Sequence, residues 1–284
     1  MILNAQREAR GETPLKIREF AAQAREAMDP ETLNAVTAHD LGVIRAPYVG
    51  IGLFILVVFV IIAITKMPQT ENHGDRLDMG PTMRRLFANR RYTEGVVAQF
   101  FYVGAQIMCW TFVIHYGTEL FTAQGMAERD AEVLSQKYNI VAMVIFCLSR
   151  FICTFLLRFF TPGRLLMSLA LGGLALTAGA ILIPGITGLY CLVGISACMS
   201  LMFPTIYGIA LQGLGEDAKF GAAGLIMAIL GGSVLPPLQG AITDLETIGS
   251  MSAVRASFVL PLVCVVVIAI YGFRAYKTHA RAKA

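Results

Sequence analysis

Residues 95–116, GVVAQFFYVGAQIMCWTFVIHY, run for 22 positions without an Asp, Glu, Lys or Arg. As a helix rising about 1.5 Å per residue, such a run crosses a hydrocarbon core about 30 Å thick. This constrains the chain more than any other feature. Lipid offers no hydrogen bonds, so a spanning backbone must satisfy its own N–H and C=O groups, as a helix or in a closed barrel. Apolar runs of this length select helices. Seven such spans are predicted, at 47–67, 95–116, 138–157, 165–183, 186–211, 221–242 and 256–273. The sequence is 56% hydrophobic and 15% charged, a balance that excludes a soluble domain of this size.

The segments between spans carry the topology. Residues 1–46 are polar, with six Lys/Arg and seven Asp/Glu. Residues 13–28 read as an amphipathic helix, and Asp29-Pro30 as a cap and first-turn proline opening a second short helix. No basic start followed by an apolar core marks a signal peptide. The stretch 68–94 is the longest loop and is basic, with Arg76, Arg84, Arg85, Arg90 and Arg91. Pro184-Gly185 is so short a link that the fourth and fifth spans must form a tight hairpin. Placing the C-terminus in the cytoplasm gathers thirteen basic residues inside and leaves Arg129, Lys137 and Arg255 outside. Residues 1–46 then lie outside the cell, yet carry no signal. The expectation that resolves this is a longer chain, whose upstream spans carry that segment across and in which Met1 is internal. The last six spans divide three plus three, as in transporters built from inverted repeats. Seven spans with an outside N-terminus is also a receptor topology, but the last span holds no Lys for a retinal Schiff base.

Within 95–116, Gln99, Tyr102, Gln106 and the pair Cys109/Trp110 recur at spacings of three and four and share one helical face. Two amides and a phenol must look at protein or at a water-filled cavity. Two readings stand: amides clipping neighbouring helices, or a sugar-binding wall, where amides bond hydroxyls and a ring stacks on a C–H face. The six Cys lie inside apolar runs with no CxxC spacing, which reads as packing rather than disulfides or zinc. No HExxH, phosphate loop or Ser/His/Asp constellation supports enzyme chemistry. The basic residues follow from orientation, so a nucleic-acid partner is unsupported.

The runs QFFYVGAQIMCW (99–110), SLMFPTIYGIALQGLG (200–215), KFGAAGLIMAILGGSVLPPLQGAITD (219–244) and CLSRF (147–151) resemble the L-fucose–proton symporter family of the major facilitator superfamily. The resemblance covers about residue 47 to the C-terminus. It implies an all-α membrane protein of seven transmembrane helices, the last six forming the C-terminal bundle of such a transporter. Residues 1–46 become an extracytoplasmic loop or tail, 47–67 the sixth family helix, 68–94 the central cytoplasmic loop, 95–273 the bundle and 274–284 a cytoplasmic tail. Helices one to five of the N-terminal bundle are missing. The implied setting is the bacterial inner membrane. The implied function is proton-coupled uptake of L-fucose or a related hexose by alternating access, with a glucose/galactose permease of the same family as the alternative. The partners are then a monosaccharide, a proton, the bilayer and the N-terminal bundle, with no cofactor beyond the coupling proton. No carboxylate falls at mid-depth of any span, and in the family the coupling carboxylates lie in the N-terminal bundle.

Under this resemblance Gln106 and Trp110 line the sugar cavity, with Tyr102, and Gln99 nearer the cytoplasmic end. Pro204 cannot donate its backbone hydrogen bond and should bend the fifth span as a gate, with Tyr207 one turn on reaching a sugar hydroxyl or packing on a neighbour. Asn139 reads as a helix cap, an interface residue or a substrate contact. Arg150 reads as part of a cytoplasmic gate, pairing with Glu216 or Asp217. Gly224, Ala228 and Gly232 form a small-residue stripe for close packing. Pro236-Pro237 should break or kink the sixth span, with Pro237 in the gating set and Gln239 satisfying freed backbone groups.

Overall fold

The computed structural model describes residues 30–65, 79–245, 247–249 and 251–281. The chain divides into two units, Met1–Arg76 and Leu77–Ala284. In the first, Pro30 opens a single helix, α1 (Pro30–Ile64), of 35 residues. The helix starts where the proline signal placed a start, but it is long rather than short, and it runs through Pro47. Its apolar part, Pro47–Ile61, exposes Phe54, Leu56 and Phe59. The calls on residues 1–29, including the amphipathic helix at 13–28 and the Asp29 cap, lie outside the described residues.

The second unit is helical apart from a two-residue hairpin. Its elements are α2 (Met79–Ala88), α3 (Arg90–Ala123), α4 (Glu128–Leu156), α5 (Pro162–Leu182), α6 (Ile186–Met199), α7 (Met202–Leu211), α8 (Ala218–Met227), α9 (Gly231–Thr243), β1 (Thr247–Ile248), β2 (Met251–Ser252), α10 (Ala253–Ser257) and α11 (Val259–Arg281). Among the described residues, six stretches are long and apolar enough to cross a membrane: α3, α4, α5, the α6–α7 pair, the segment Gly215–Thr243, and Ala253–Thr278. The shorter apolar part of α1, Pro47–Ile61, corresponds to the first of the seven spans read from the sequence. The stretch 68–94, expected as loop, holds α2 and the first turn of α3. Asn89 separates the two helices, its Oδ1 accepting from the N–H groups of Arg91 (3.1 Å) and Tyr92 (3.3 Å). Gly185, at φ 84° and ψ −157°, occupies backbone space that only glycine enters easily, and this permits the α5–α6 hairpin.

α3 is the hub, packed on α4, α6, α7, α9 and α11. Lipid is as apolar as leucine, so helices associate here by close packing and internal hydrogen bonds rather than by hydrophobic burial. Small residues therefore sit at the crossings. A Cβ on Gly104 would collide with Leu235, and one on Gly231 with the Phe100 carbonyl oxygen, so the α3 and α9 backbones meet directly. The stripe of Gly224, Ala228 and Gly232 faces α3, with Gly224 against Tyr92 and Gly232 against Val103 and Ile107. Several Ser and Thr hydroxyls within the spans close on their own helices, as Thr177 does on Gly173 O (2.7 Å).

Two breaks differ from the sequence expectation. The fifth span bends at Ser200–Leu201, ahead of Pro204 rather than at it. A proline ring clashes with the carbonyl four residues back, which here is Ser200. The Tyr102 hydroxyl donates to the neighbouring Met199 carbonyl at 2.8 Å. In the sixth span, α9 continues through Pro236 and Pro237, and the departure from α geometry is the tighter turn Ala228–Leu230. Gln239 does not serve freed backbone groups: it is fully buried and its Nε2 donates to Ser257 Oγ (3.0 Å), tying α9 to α10.

α2 docks on the bundle. Leu86 is buried with Tyr92, Ala210 and Leu225. Arg85 grips Asp217 with two bonds, Nε to Oδ2 (2.9 Å) and Nη2 to Oδ1 (2.7 Å). That hydrogen bond and the Asp217 charge raise the Arg85 pKa above its ordinary value.

Two outcomes are expected. Gly231→Ala forces α3 and α9 apart and costs about 1–3 kcal/mol, lowering the thermal midpoint of the detergent-solubilised chain. Gly208→Ala, with open space at its Cβ, leaves the midpoint unchanged or higher; equal midpoints for the two variants would contradict the crossing. Asp217→Asn releases α2, and amide exchange over Met79–Ala88 rises a few-fold while α3 stays protected.

Candidate functional site

The amide face of α3 is not uniform. Gln99 is fully buried, and neither of its amide atoms has a protein hydrogen-bond partner. Tyr102 is fully buried too, and its hydroxyl is committed to the α6–α7 break. Gln106, one turn further, is half-buried and makes no side-chain hydrogen bond among the described residues. Trp110 follows one turn later, half-buried, its Nε1 donating to Ser196 Oγ on α6 at 3.3 Å. The same face thus changes character along α3. At Gln99 and Tyr102 it is closed core, and at Gln106 and Trp110 it is partly open.

Aromatic rings extend this face onto two further helices, α4 and α7. Phe146 of α4 meets Trp110 edge-on, with centroids 5.0 Å apart and planes at 90°. Phe203 of α7 contacts Tyr102 at 6.1 Å and stacks on Tyr207 at 6.4 Å. Tyr207 is half-buried and packs against the small core of Leu86, Tyr92, Ala210 and Leu225 beneath α2. Gln106 therefore lies on α3 between an upper pair, Trp110 and Phe146, and a lower trio, Tyr102, Phe203 and Tyr207. An amide flanked by rings can bond a hydroxyl while a ring covers a C–H face.

The remaining candidates fall elsewhere. Asn139 is not a cap, because α4 already begins at Glu128; it sits half-buried in the helix, and its buried Oδ1 has no partner. Arg150 is exposed, with its guanidinium carbon 5.9 Å from the Phe146 centroid. The expected ion pair of Arg150 with Glu216 or Asp217 does not form among the described residues; Asp217 is held by Arg85 instead. Pro204 lines a cleft of about 560 Å³ with Leu157, Pro162, Thr205, Gly208 and Gln212. Pro237 is exposed on α9. Of the cysteines, 109, 153 and 264 are buried, whereas Cys147 is exposed.

Sequence reasoning missed Phe146, Ser196 and Phe203. Phe146 had a signal, lying one turn before Arg150 and two turns after Asn139 on α4. Ser196 had none, being one small residue in a run of them. Among the described residues no three His, Cys, Asp or Glu side chains gather as a metal site.

No family model matches the chain. It is 48% identical over 244 residues to the L-fucose-proton symporter of Haemophilus influenzae, covering 86% of this chain and 55% of that protein. It is 33% identical to the L-fucose-proton symporter of Escherichia coli, over 86% of this chain and 54% of that one. Over 84% of its length it is also 29% identical to a putative glucose/galactose transporter of Helicobacter pylori, covering 56% of it. Its structure superposes on a crystal structure of the E. coli fucose:proton symporter, FucP, with TM-score 0.75 and 30% identity, over 92% of this chain and 61% of that one. A second crystal structure, of FucP in the outward conformation, gives TM-score 0.74 and 29% identity, over the same shares of the two chains. The chain spans about half the length of the curated relatives it matches. These relatives are transporters rather than enzymes, and the fold they share leaves no support for a seven-helix receptor. A multi-pass helical bundle packed around α3, and identity of 48% over 86% of its length, make this chain similar to the L-fucose-proton symporters of the major facilitator superfamily over about half of their length.

Proposed function

We propose that this chain forms the C-terminal bundle of a proton-coupled sugar transporter that takes up L-fucose or a related hexose by alternating access. The observation that carries the reading is the 48% identity to a protein named as an L-fucose-proton symporter. Gln106 and Trp110 on α3, with Tyr207 on α7, form this bundle's share of the sugar wall. Asn139 is a further contact, while Gln99 and Tyr102 support the wall from within the core. The coupling ion is a proton, and its carrier lies outside this bundle. Arg150, Pro204 and Pro237 belong to the moving parts. Residues 95–273 are the bundle, 68–94 the central cytoplasmic segment and 47–67 the sixth family helix; residues 1–46 are extracytoplasmic and 274–284 cytoplasmic. The membrane is the bacterial inner membrane. The pairing of Arg274 with Glu94 (3.0 Å) supports a common side for the start of α3 and the end of α11, both rich in basic residues.

Identities of 29% and 30% to glucose/galactose transporters make glucose or galactose the second reading. Both readings are tested in a chimera that joins this chain behind the N-terminal portion of the H. influenzae symporter it does not match. In proteoliposomes with an imposed proton gradient, the chimera accumulates labelled L-fucose and this chain alone does not. Excess D-glucose or D-galactose leaves that uptake unchanged; strong competition by either would select the second reading. Gln106→Ala raises the half-saturating fucose concentration about two- to tenfold, as loss of one neutral hydrogen bond does. Trp110→Ala reduces uptake further, while Met83→Ala, exposed on α2, leaves it unchanged. Accumulation by the chain alone, or wild-type uptake in both wall variants, would overturn the proposal.

A further inference from the structure

At the end of the bundle where α3 begins and α11 finishes, a cleft of about 210 Å³ opens between the two helices. Arg90, Arg91 and Glu94 line it from α3, and Tyr271, Arg274 and Thr278 from α11. Glu94 Oε1 accepts from Arg90 Nε (2.8 Å) and pairs with Arg274 Nη1 (3.0 Å). Three guanidinium groups against one carboxylate leave the cleft with two net positive charges. Arg91 is half-buried and makes no ion pair or side-chain hydrogen bond among the described residues. Tyr271, in the cleft wall, is 5% exposed, and its buried hydroxyl has no partner. A buried polar group left unsatisfied is costly, and a guanidinium offers only donors. Arg91, beside Tyr271 in the cleft wall, awaits an acceptor with several oxygens and negative charge. Phosphate fits that description.

A second groove, of about 180 Å³, shares Glu94, Tyr271 and Arg274 with the first. Its other walls are Thr93, Val97, Val267 and Ile270. Val97 and Ile270 are exposed on the apolar flank of the bundle, where a soluble anion would gain nothing. A charged cleft continuous with an apolar groove has the chemistry of a lipid with a phosphate headgroup. We infer that the cleft binds the headgroup of an anionic phospholipid, with an acyl chain along Val97, Val267 and Ile270. A zwitterionic headgroup would bring its ammonium against the same arginines, so the site selects net negative lipids.

Native mass spectrometry of the full chain in neutral detergent tests this. Equal concentrations of phosphatidylglycerol and phosphatidylcholine are offered, with inorganic phosphate as a third probe. The chain retains phosphatidylglycerol at least about fivefold over phosphatidylcholine, and Arg91→Gln removes most of that preference. Tyr271→Phe keeps the ring and its packing, so it folds, and it lowers retention of phosphatidylglycerol without affecting phosphatidylcholine. Lys277→Gln, outside the cleft with its ammonium over Phe273, leaves the preference intact. Equal retention of the two lipids, or a preference untouched by both Arg91→Gln and Tyr271→Phe, would overturn the inference. So would saturable binding of inorganic phosphate with no lipid preference, which would reassign the cleft to a free anion.

Discussion

The contact of two backbones at Gly104 and Gly231 sets where the other helices of the bundle can sit. With no Cβ on either residue, α9 lies directly against α3, beside the Phe100 carbonyl and Leu235. The same economy recurs where Gly163 meets the Tyr276 backbone and Gly272 meets Met167, bringing α5 and α11 together. Association in lipid depends on such close approach, because burying apolar surface gains little there. Once α3 is fixed between α9 on one side and α4, α6 and α11 on others, its amide face has only one direction left, toward the α6–α7 break.

That direction gives the face its two parts. Pro204 withholds an N–H and crowds the Ser200 carbonyl, so the fifth span cannot continue as one helix. The break exposes carbonyls, and Tyr102 supplies the missing donor at Met199. A tyrosine that reads as a sugar contact is thereby used to hold a helix break in lipid. Further along the face Gln106 keeps its amide uncommitted, and Trp110 is steadied by Ser196 and Phe146 without being enclosed. Enclosed and partly open polar side chains therefore follow one another along one helix with no change in residue chemistry.

Much of this was legible in the sequence. A charge-free run carrying amides at helical spacing marked α3, the Pro184-Gly185 link marked the hairpin, and the Gly224–Gly232 stripe marked a close crossing. What escaped was set by pairs distant along the chain. Arg85 and Asp217 are 132 positions apart, and no local pattern ties them, so Asp217 could be assigned to Arg150 instead. The break was misplaced by one turn because the sequence displays the proline and not the carbonyl it crowds. α2 was overlooked within a basic loop although Thr82 and Leu86, four apart, form its buried face. For Tyr102 and Gln106, neighbours alone decide which side chain stays open.

The central claim is that Trp110 borders a sugar cavity and not lipid. Trp110 is the single tryptophan of the chain, which makes its fluorescence a direct probe. The measurement is made in the chimera with a relative's N-terminal portion, that portion's own tryptophans replaced by phenylalanine. L-Fucose should change the emission saturably, brominated acyl chains should quench it weakly, and Gln106→Ala should weaken the fucose response. Strong quenching by brominated lipid with no response to fucose would put Trp110 on the lipid face and contradict the account.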